Sequence, residues 1–189
     1  DVVKTIQMVN QDQSIKAIIP VHFAGQPVDI CELKNGLNRS LIIIEDAAHA
    51  LGSTYKTGEK IGSCKFSDMT VFSFHPVKSI TAGEGGIVTT NDYDLYLQLL
   101  RLRSHGITKL NDQFTNPILS QTKSRVNPWY YEMIQLGFNY RMTNLQAAIL
   151  DFKLTFYSKE IDRRREIAQM YQDRLVHLTQ LHLPPAPNS

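Results

Sequence analysis

The sequence predicts an α/β fold, a three-layer sandwich around a mostly parallel sheet, and three observations carry that expectation. Short continuous aliphatic runs recur along the first half, and helical patterns stand beside them. One run, LIIIED at residues 41–46, stops abruptly in two carboxylates. That is the form of a central parallel strand whose carboxyl end emerges where ligands bind in open α/β sheets.

The elements follow in order. DVVKTIQMVNQDQS at the start is polar and is assigned no element. KAIIPVHF (16–23) reads as a strand buried on both faces, and PVDICELKNGL as a helix with Pro27 at its start and Gly36 near its end. LIIIED is the next strand and places Asp46 at a rim. MTVFSFH (69–75) and GGIVTTN (85–91) are two more strands, on either side of a turn that carries Lys78. Asn91 and Asp92 cap a helix from Tyr93 to Arg103, with acids in its first turn and Arg101 and Arg103 in its last. Residues 104–128 are polar and irregular and read as one long loop. Thr143 and Gln146 form a capping box, followed by an apolar stripe of Leu145, Ile149, Phe152 and Phe156. A second amphipathic stretch holds Ile161, Ala168, Tyr171, Leu175 and Leu178, with Arg163 to Arg165 on a solvated face.

The 189 residues are 42% hydrophobic, enough for one sizeable core. A net charge of +2 is too balanced to nominate nucleic acid or an anionic membrane as partner, and the longest aliphatic run, Leu41 to Ile44, is far short of a membrane span. A cytoplasmic protein is expected, with Cys31 and Cys64 as reduced thiols. Asp1 in place of an initiator Met, and the linker-like tail LHLPPAPNS, suggest an internal piece of a longer chain.

The chemistry centres on VFSFHPVKSITAGEGGIVTTN (71–91). An amine is nucleophilic only when neutral, and desolvation beside Val77 and Ile80 would favour that form of Lys78. Read alone, the stretch favours a loop lysine pointing into water. The other residues shift the balance. Asp46 stands where a carboxylate can hold a protonated ring nitrogen, although it could equally cap the short stretch AAHALG; His49 follows at helical spacing. Ser73, Gly83, Gly85 and Gly86 suit an anion such as phosphate, yet TAGEGG matches neither a P-loop nor a dinucleotide fingerprint.

EDAAHALG, FSFHPVK, GEGG and GFNYRMTNLQAAIL, in this order and spacing, resemble the DegT/DnrJ/EryC1/StrS family of pyridoxal-phosphate-dependent sugar aminotransferases over about Ile18 to Leu175. PWYYE (128–132) looks most like the branch that aminates a UDP-linked 4-keto-6-deoxy-N-acetylhexosamine on the way to pseudaminic acid. The resemblance implies the large domain of an aspartate-aminotransferase-like enzyme. It makes Lys78 the amine that condenses with the cofactor aldehyde and then shuttles the proton, and Asp46 the partner of the pyridinium nitrogen. Ala48 would pack on the ring, His49 would sit near its phenolic oxygen, Ser73 would bind the phosphate, and Asn139 would reach the phosphate of a neighbouring subunit in a homodimer with shared sites. Arg141 would organise its loop; Tyr130, Tyr131 and His105 are candidate sugar-nucleotide contacts, and glutamate is the expected amino donor.

The resemblance implies an N-terminal segment and a C-terminal small domain in full-length members, and both are expected to lie outside this sequence. Residues 1–157 are therefore expected to be the central part of the cofactor-binding domain, with 158–189 a helix and linker toward the small domain, the piece alone being inactive. Three other readings compete. A sugar dehydratase of the same family would replace the lysine by histidine, which Lys78 opposes; a binding module would keep the fold without turnover; a metal site at His22, Asp46, His49 and His75 matches no zinc spacing.

Overall fold

The computed structural model of the chain describes residues 1–109 and 113–184; parts of the expected loop (110–112) and of the expected linker (185–189) lie outside them. The polar opening, assigned no element from sequence, is a helix, α1 (Val2–Gln11). Asp1 caps it by accepting the Lys4 amide at 3.1 Å, and Val2 and Ile6 pack on the core cluster of Ile30, Leu33, Ile43 and Phe72. Three inward apolar positions in ten residues, Val2, Ile6 and the buried Val9, suffice because a neighbouring helix, α2 (Ile30–Gly36), packs against this one. Asp29, not Pro27, caps α2. Ile6 lies so close to Gly36 that a methyl group there would sit 2.5 Å from its Cδ1. Asn10 closes the pair, donating to the Gly36 carbonyl at 2.9 Å and accepting the Asn38 amide at 3.0 Å. The Arg39 guanidinium takes the carbonyls of Val9, Asp12 and Ile15 at 2.7 to 3.2 Å, satisfying the end of α1 and the segment after it.

The sheet has the order β1 (Ala17–Ile18), β2 (Ile42–Asp46), β3 (Met69–Ser73), β4 (Gly86–Thr89). The first two pairings are parallel and the last is antiparallel, as expected for a mostly parallel α/β sheet. Strand β1 is shorter than its apolar run because Pro20 has no amide to give; an isolated parallel bridge from Val21 to Asp46 resumes the pairing. The strands are not buried on both faces. Ile43, Glu45, Thr70 and Phe72 are inside, under α1 and α2, whereas Ile42 (49%) and Val71 (37%) on the opposite face are exposed.

Beyond the sheet lies α3 (Tyr93–Leu102), capped by Asp92 as expected. The presumed loop after it is partly ordered into β5 (Ile107–Thr108), α4 (Pro117–Ser120) and the hairpin β6 (Gln121–Thr122) with β7 (Arg125–Val126). Asn116 caps α4, Pro117 begins it, and Lys123 and Ser124 take the left-handed conformation that a two-residue hairpin turn requires. Strand β8 (Glu132–Met133) pairs with β5.

The two amphipathic stretches at the end are a single 32-residue helix, α5 (Asn144–Leu175), opened by the Thr143 and Gln146 capping box. Its expected stripe is displaced: Leu145, Ile149, Phe152 and Phe156 are exposed, while Leu150 and Tyr157 are buried with Phe74, Ile80 and Ala82. Arg163, Arg164 and Arg165 form the solvated face as read, each beside an exposed carboxylate. Such pairs add little stability. No helix among the described residues is long and apolar enough to cross a membrane.

Candidate active site

Parallel pairing aims the carboxyl ends of β2 and β3 the same way, and two loops leave there. The first carries Asp46, Ala48 and His49. Asp46 is fixed on both sides: its amide donates to Pro20, its carbonyl accepts from His22, and Ala47 donates to Val71. Its Oδ1 accepts the Ala48 amide at 3.0 Å. This is a turn in which the carboxylate caps its own loop; AAHALG forms no helix, so His49 is placed by the turn rather than by helical spacing. The His49 ring lies edge-on to Phe23, and its Nδ1 accepts the amide of Ala24 at 3.2 Å. That bond leaves the proton of a neutral ring on Nε2. Ala24 adopts φ +52 to make it.

The second loop leaves β3. Ser73 lies on the Asp46 face of the sheet, because Asp46 is in register with Val71 and Ser73 is two residues on. Its Oγ accepts the His75 amide at 3.4 Å, and the Lys78 amide closes a turn on the His75 carbonyl at 3.0 Å. Thr81 and Ala82 both return to the Phe74 carbonyl, so the segment folds back on its own strand. Lys78 is half-buried and makes no ion pair among the described residues; the nearby Glu84 stands 4.0 Å from His75 instead. Val77 contributes less desolvation than its position in sequence suggested, being 78% exposed, whereas Ile80 is buried at 4%. Gly83 and Gly85 are left-handed, and nothing lies within 4 Å of where a Cβ on Gly83 would be.

Behind Asp46 is a network that sequence reading missed. The two carboxylates of LIIIED do not both emerge, since Glu45 points inward and is fully buried. Its Oε2 accepts from His22 Nε2 at 2.6 Å and from the Tyr55 hydroxyl; its Oε1 accepts from the Ser67 hydroxyl and, at 3.1 Å, from Thr70. His22 Nδ1 accepts the Val28 amide at 3.0 Å, so His22 is a neutral donor to Glu45. Both His22 nitrogens are engaged, which removes it from any metal site. Burial pushes the Glu45 carboxyl up, but the bonds from His22, Ser67 and Tyr55 outweigh that and hold it below the ordinary carboxylate value. Burial and Glu45 together push the Tyr55 phenol up. An acid within an aliphatic strand was the available signal.

The remaining candidates form a second group. The segment after α3 pairs with residues 138–140: His105 donates to Phe138, Tyr140 to Arg103, and Ser104 bridges Asn139. His105 and Asn139 thus lie on adjoining segments, both exposed. Tyr130 donates its hydroxyl to Glu132 at 2.6 Å, which pushes the phenol up to about 12 and, with the amides of Thr115 and Asn116, holds Glu132 down at about 2. That hydroxyl is occupied within the chain. Tyr131 is exposed. From the start of α5, which follows the second group in sequence, the Gln146 side chain donates to the Glu84 carbonyl at 3.0 Å; no hydrogen bond or ion pair among the described residues joins His105, Asn139 or the tyrosines to Lys78.

Comparison with known proteins gives the family. A model of the DegT/DnrJ/EryC1/StrS aminotransferase family matches residues 1–189, and the chain belongs to that family. A UDP-4-amino-4,6-dideoxy-N-acetyl-beta-L-altrosamine transaminase of Campylobacter jejuni is 37% identical over 166 residues, 87% of this chain and 39% of its own length. Helicobacter pylori PseC, an aminotransferase involved in the biosynthesis of pseudoaminic acid, superimposes with a TM-score of 0.74 and 29% identity over 95% of this chain and 43% of PseC. Spr1654 of Streptococcus pneumoniae in its PLP form gives a TM-score of 0.74 at 28% identity, over 94% of this chain and 45% of Spr1654. The chain spans about two fifths of the length of the curated relative.

Proposed function

We propose that this chain is the lysine-bearing part of a pyridoxal-phosphate-dependent aminotransferase. The amino group moves from glutamate to the 4-keto group of a UDP-linked 6-deoxy-N-acetylhexosamine, in a cytoplasmic homodimer with shared sites. Residues 1–157 form the central part of its cofactor-binding domain, and α5 leads on toward a second domain. The observation that carries this reading is Lys78: a half-buried amine without an ion pair among the described residues, on the loop beside the one that holds Asp46. The similarity to a UDP-sugar transaminase and to PseC supports the substrate class.

The donor set fits the cofactor. Asp46 has one oxygen bonded to Ala48 and the other available for a ring N–H; Lys78 offers an amine to an aldehyde; Ser73 and the left-handed glycines offer a hydroxyl and backbone amides to a phosphate. When bound, pyridoxal phosphate supplies an electron sink for the substrate carbon. The chain's own part would be to present the free oxygen of Asp46 to the ring nitrogen, to turn His49 Nε2–H toward the ring oxygen, and to supply Lys78 as the base that moves the proton. Ala48 packs against the ring face. Asn139, outside the Lys78 group of its own chain, serves a neighbouring subunit's phosphate, and Tyr130, Tyr131 and His105 face the sugar nucleotide.

The test is direct. Pyridoxal phosphate followed by borohydride should label Lys78 ahead of the surface lysines, as read by peptide mass mapping, and Lys78→Ala should abolish the visible absorbance of the bound cofactor. Labelling spread evenly over exposed lysines would refute the assignment. Assay of the full-length protein on UDP- and dTDP-linked keto sugars then tests the substrate.

A further inference from the structure

The loop that carries Lys78 is fastened by a side chain 79 positions further along, on α5. Tyr157 is 8% exposed and belongs to the cluster that holds Phe74, Ile80 and Leu150. Its hydroxyl donates to the Leu51 carbonyl at 2.8 Å, and its oxygen stands 2.9 Å from Ser79 Oγ, where it accepts the serine proton. Arg164, two turns on, donates to the Ser79 carbonyl at 3.0 Å. Leu51 lies two residues beyond His49 on the segment that begins with Asp46, and Ser79 is the residue after Lys78. One phenol therefore bridges the two loops from which the site's carboxylate and amine project. Gly52 lies flat against the ring, a Cβ there being 3.4 Å from Tyr157 Cε1. Burial pushes the phenol up, so it remains a proton donor at neutral pH.

We propose that Tyr157 is a positioning residue: by bridging Leu51 and Ser79 it sets the spacing between the Lys78 loop and the Asp46 loop, and so the fraction of time the amine stands within reach of a carbonyl held over Asp46. This rests on Lys78 being the amine that engages the cofactor. Neither loop end needs the Tyr157 hydroxyl in order to fold, because the half-buried Leu51 and Ser79 can turn their carbonyl and hydroxyl to water when the bridge is gone while the packed ring stays. What the hydroxyl adds is a fixed distance.

Tyr157→Phe removes only the hydroxyl and keeps the packed ring. In the full 189-residue chain it should leave the circular dichroism spectrum and the exchange of α1 and α2 amides unchanged. Deuterium uptake in residues 48–53 and 76–82 should quicken about fivefold, the scale of one lost hydrogen bond. Borohydride labelling of Lys78 by pyridoxal phosphate, measured relative to exposed Lys153, should fall by a similar factor. Ser79→Ala should reproduce part of this, and the double variant should fall no further than Tyr157→Phe alone, since both remove the same bridge. The inference is overturned if Tyr157→Phe leaves uptake and Lys78 labelling as they were, if uptake rises equally across the chain, or if the double variant loses the product of the two single effects. Should the unaltered chain fail to label at Lys78, the functional reading falls and takes this inference with it; intact labelling that Tyr157→Phe leaves unchanged sinks this inference alone.

Discussion

Glu45 keeps its negative charge in the interior with no Lys or Arg paired to it among the described residues, and four donors make that possible. Two oxygens meet four donors, so an amide at this position would turn its NH2 toward two of them. Glu45→Gln should cost about 3 kcal/mol at pH 7 in urea unfolding, since unsatisfied buried donors cost roughly 1–3 kcal/mol each. The pH dependence has a definite sign. The carboxyl sits lower in the folded than in the unfolded chain, so its stabilisation is complete above the unfolded carboxylate value of about 4.3 and drains away as pH falls through the folded value. The gap between the unaltered protein and Glu45→Gln should therefore stay level from pH 7 to about pH 5 and narrow as pH falls from there to about 3, and a gap that stays constant down to about pH 3 would show that Glu45 is not held low. The network's bearing on the site is indirect. His22 gives its backbone amide to the Asp46 carbonyl, and the turn that follows gives Ala24 to His49.

Among the elements, the crossing of residues 102–106 with 134–140 brings two backbones into close approach at glycines. Gly106 is left-handed at φ +68, and a Cβ on it would lie 1.7 Å from the Gln135 carbonyl oxygen; one on Gly137 would lie 2.2 Å from the Gly106 nitrogen. Backbone meets backbone there, so neither can yield as a side-chain tip would. Gly106→Ala should destabilise the chain by about 3 kcal/mol, the range of severe local strain, and should shift the amide resonances of His105 and Asn139. Gly58→Ala is the comparison: φ is +93, but nothing among the described residues lies within 4 Å of the added Cβ, so only the left-handed penalty of roughly 1–2 kcal/mol remains. Equal losses in the two variants would mean that the close approach contributes nothing. The element scale is also where the sequence was most legible. Strands β2, β3 and β4, helix α3 with its Asp92 cap and the Thr143 capping box were all readable, because periodicity and capping are local signals. Helix α1, the β5 and β8 pair and the inward turn of Leu150 and Tyr157 were not, because each depends on a partner far along the chain.

For the whole molecule the family and the two loops of the site could be read from motifs, since Asp46 and Lys78 each sit in a contiguous signature. What joins those loops could not be, because Tyr157 lies in a helix whose pattern alone gives it no special place, and because the sequence assigned Glu45 no part until the sheet showed which way it points. The Arg39 guanidinium carries a consequence of another kind. It grips carbonyls on both sides of the exposed Gln13 and Ser14, while Val2 and Ile6 remain seated in the core. A nonspecific protease that nicks the backbone between those two residues should release nothing: the cleaved peptide ought to co-elute with the remainder on a sizing column and separate only in denaturant, whereas after Arg39→Ala the same cut should let it go.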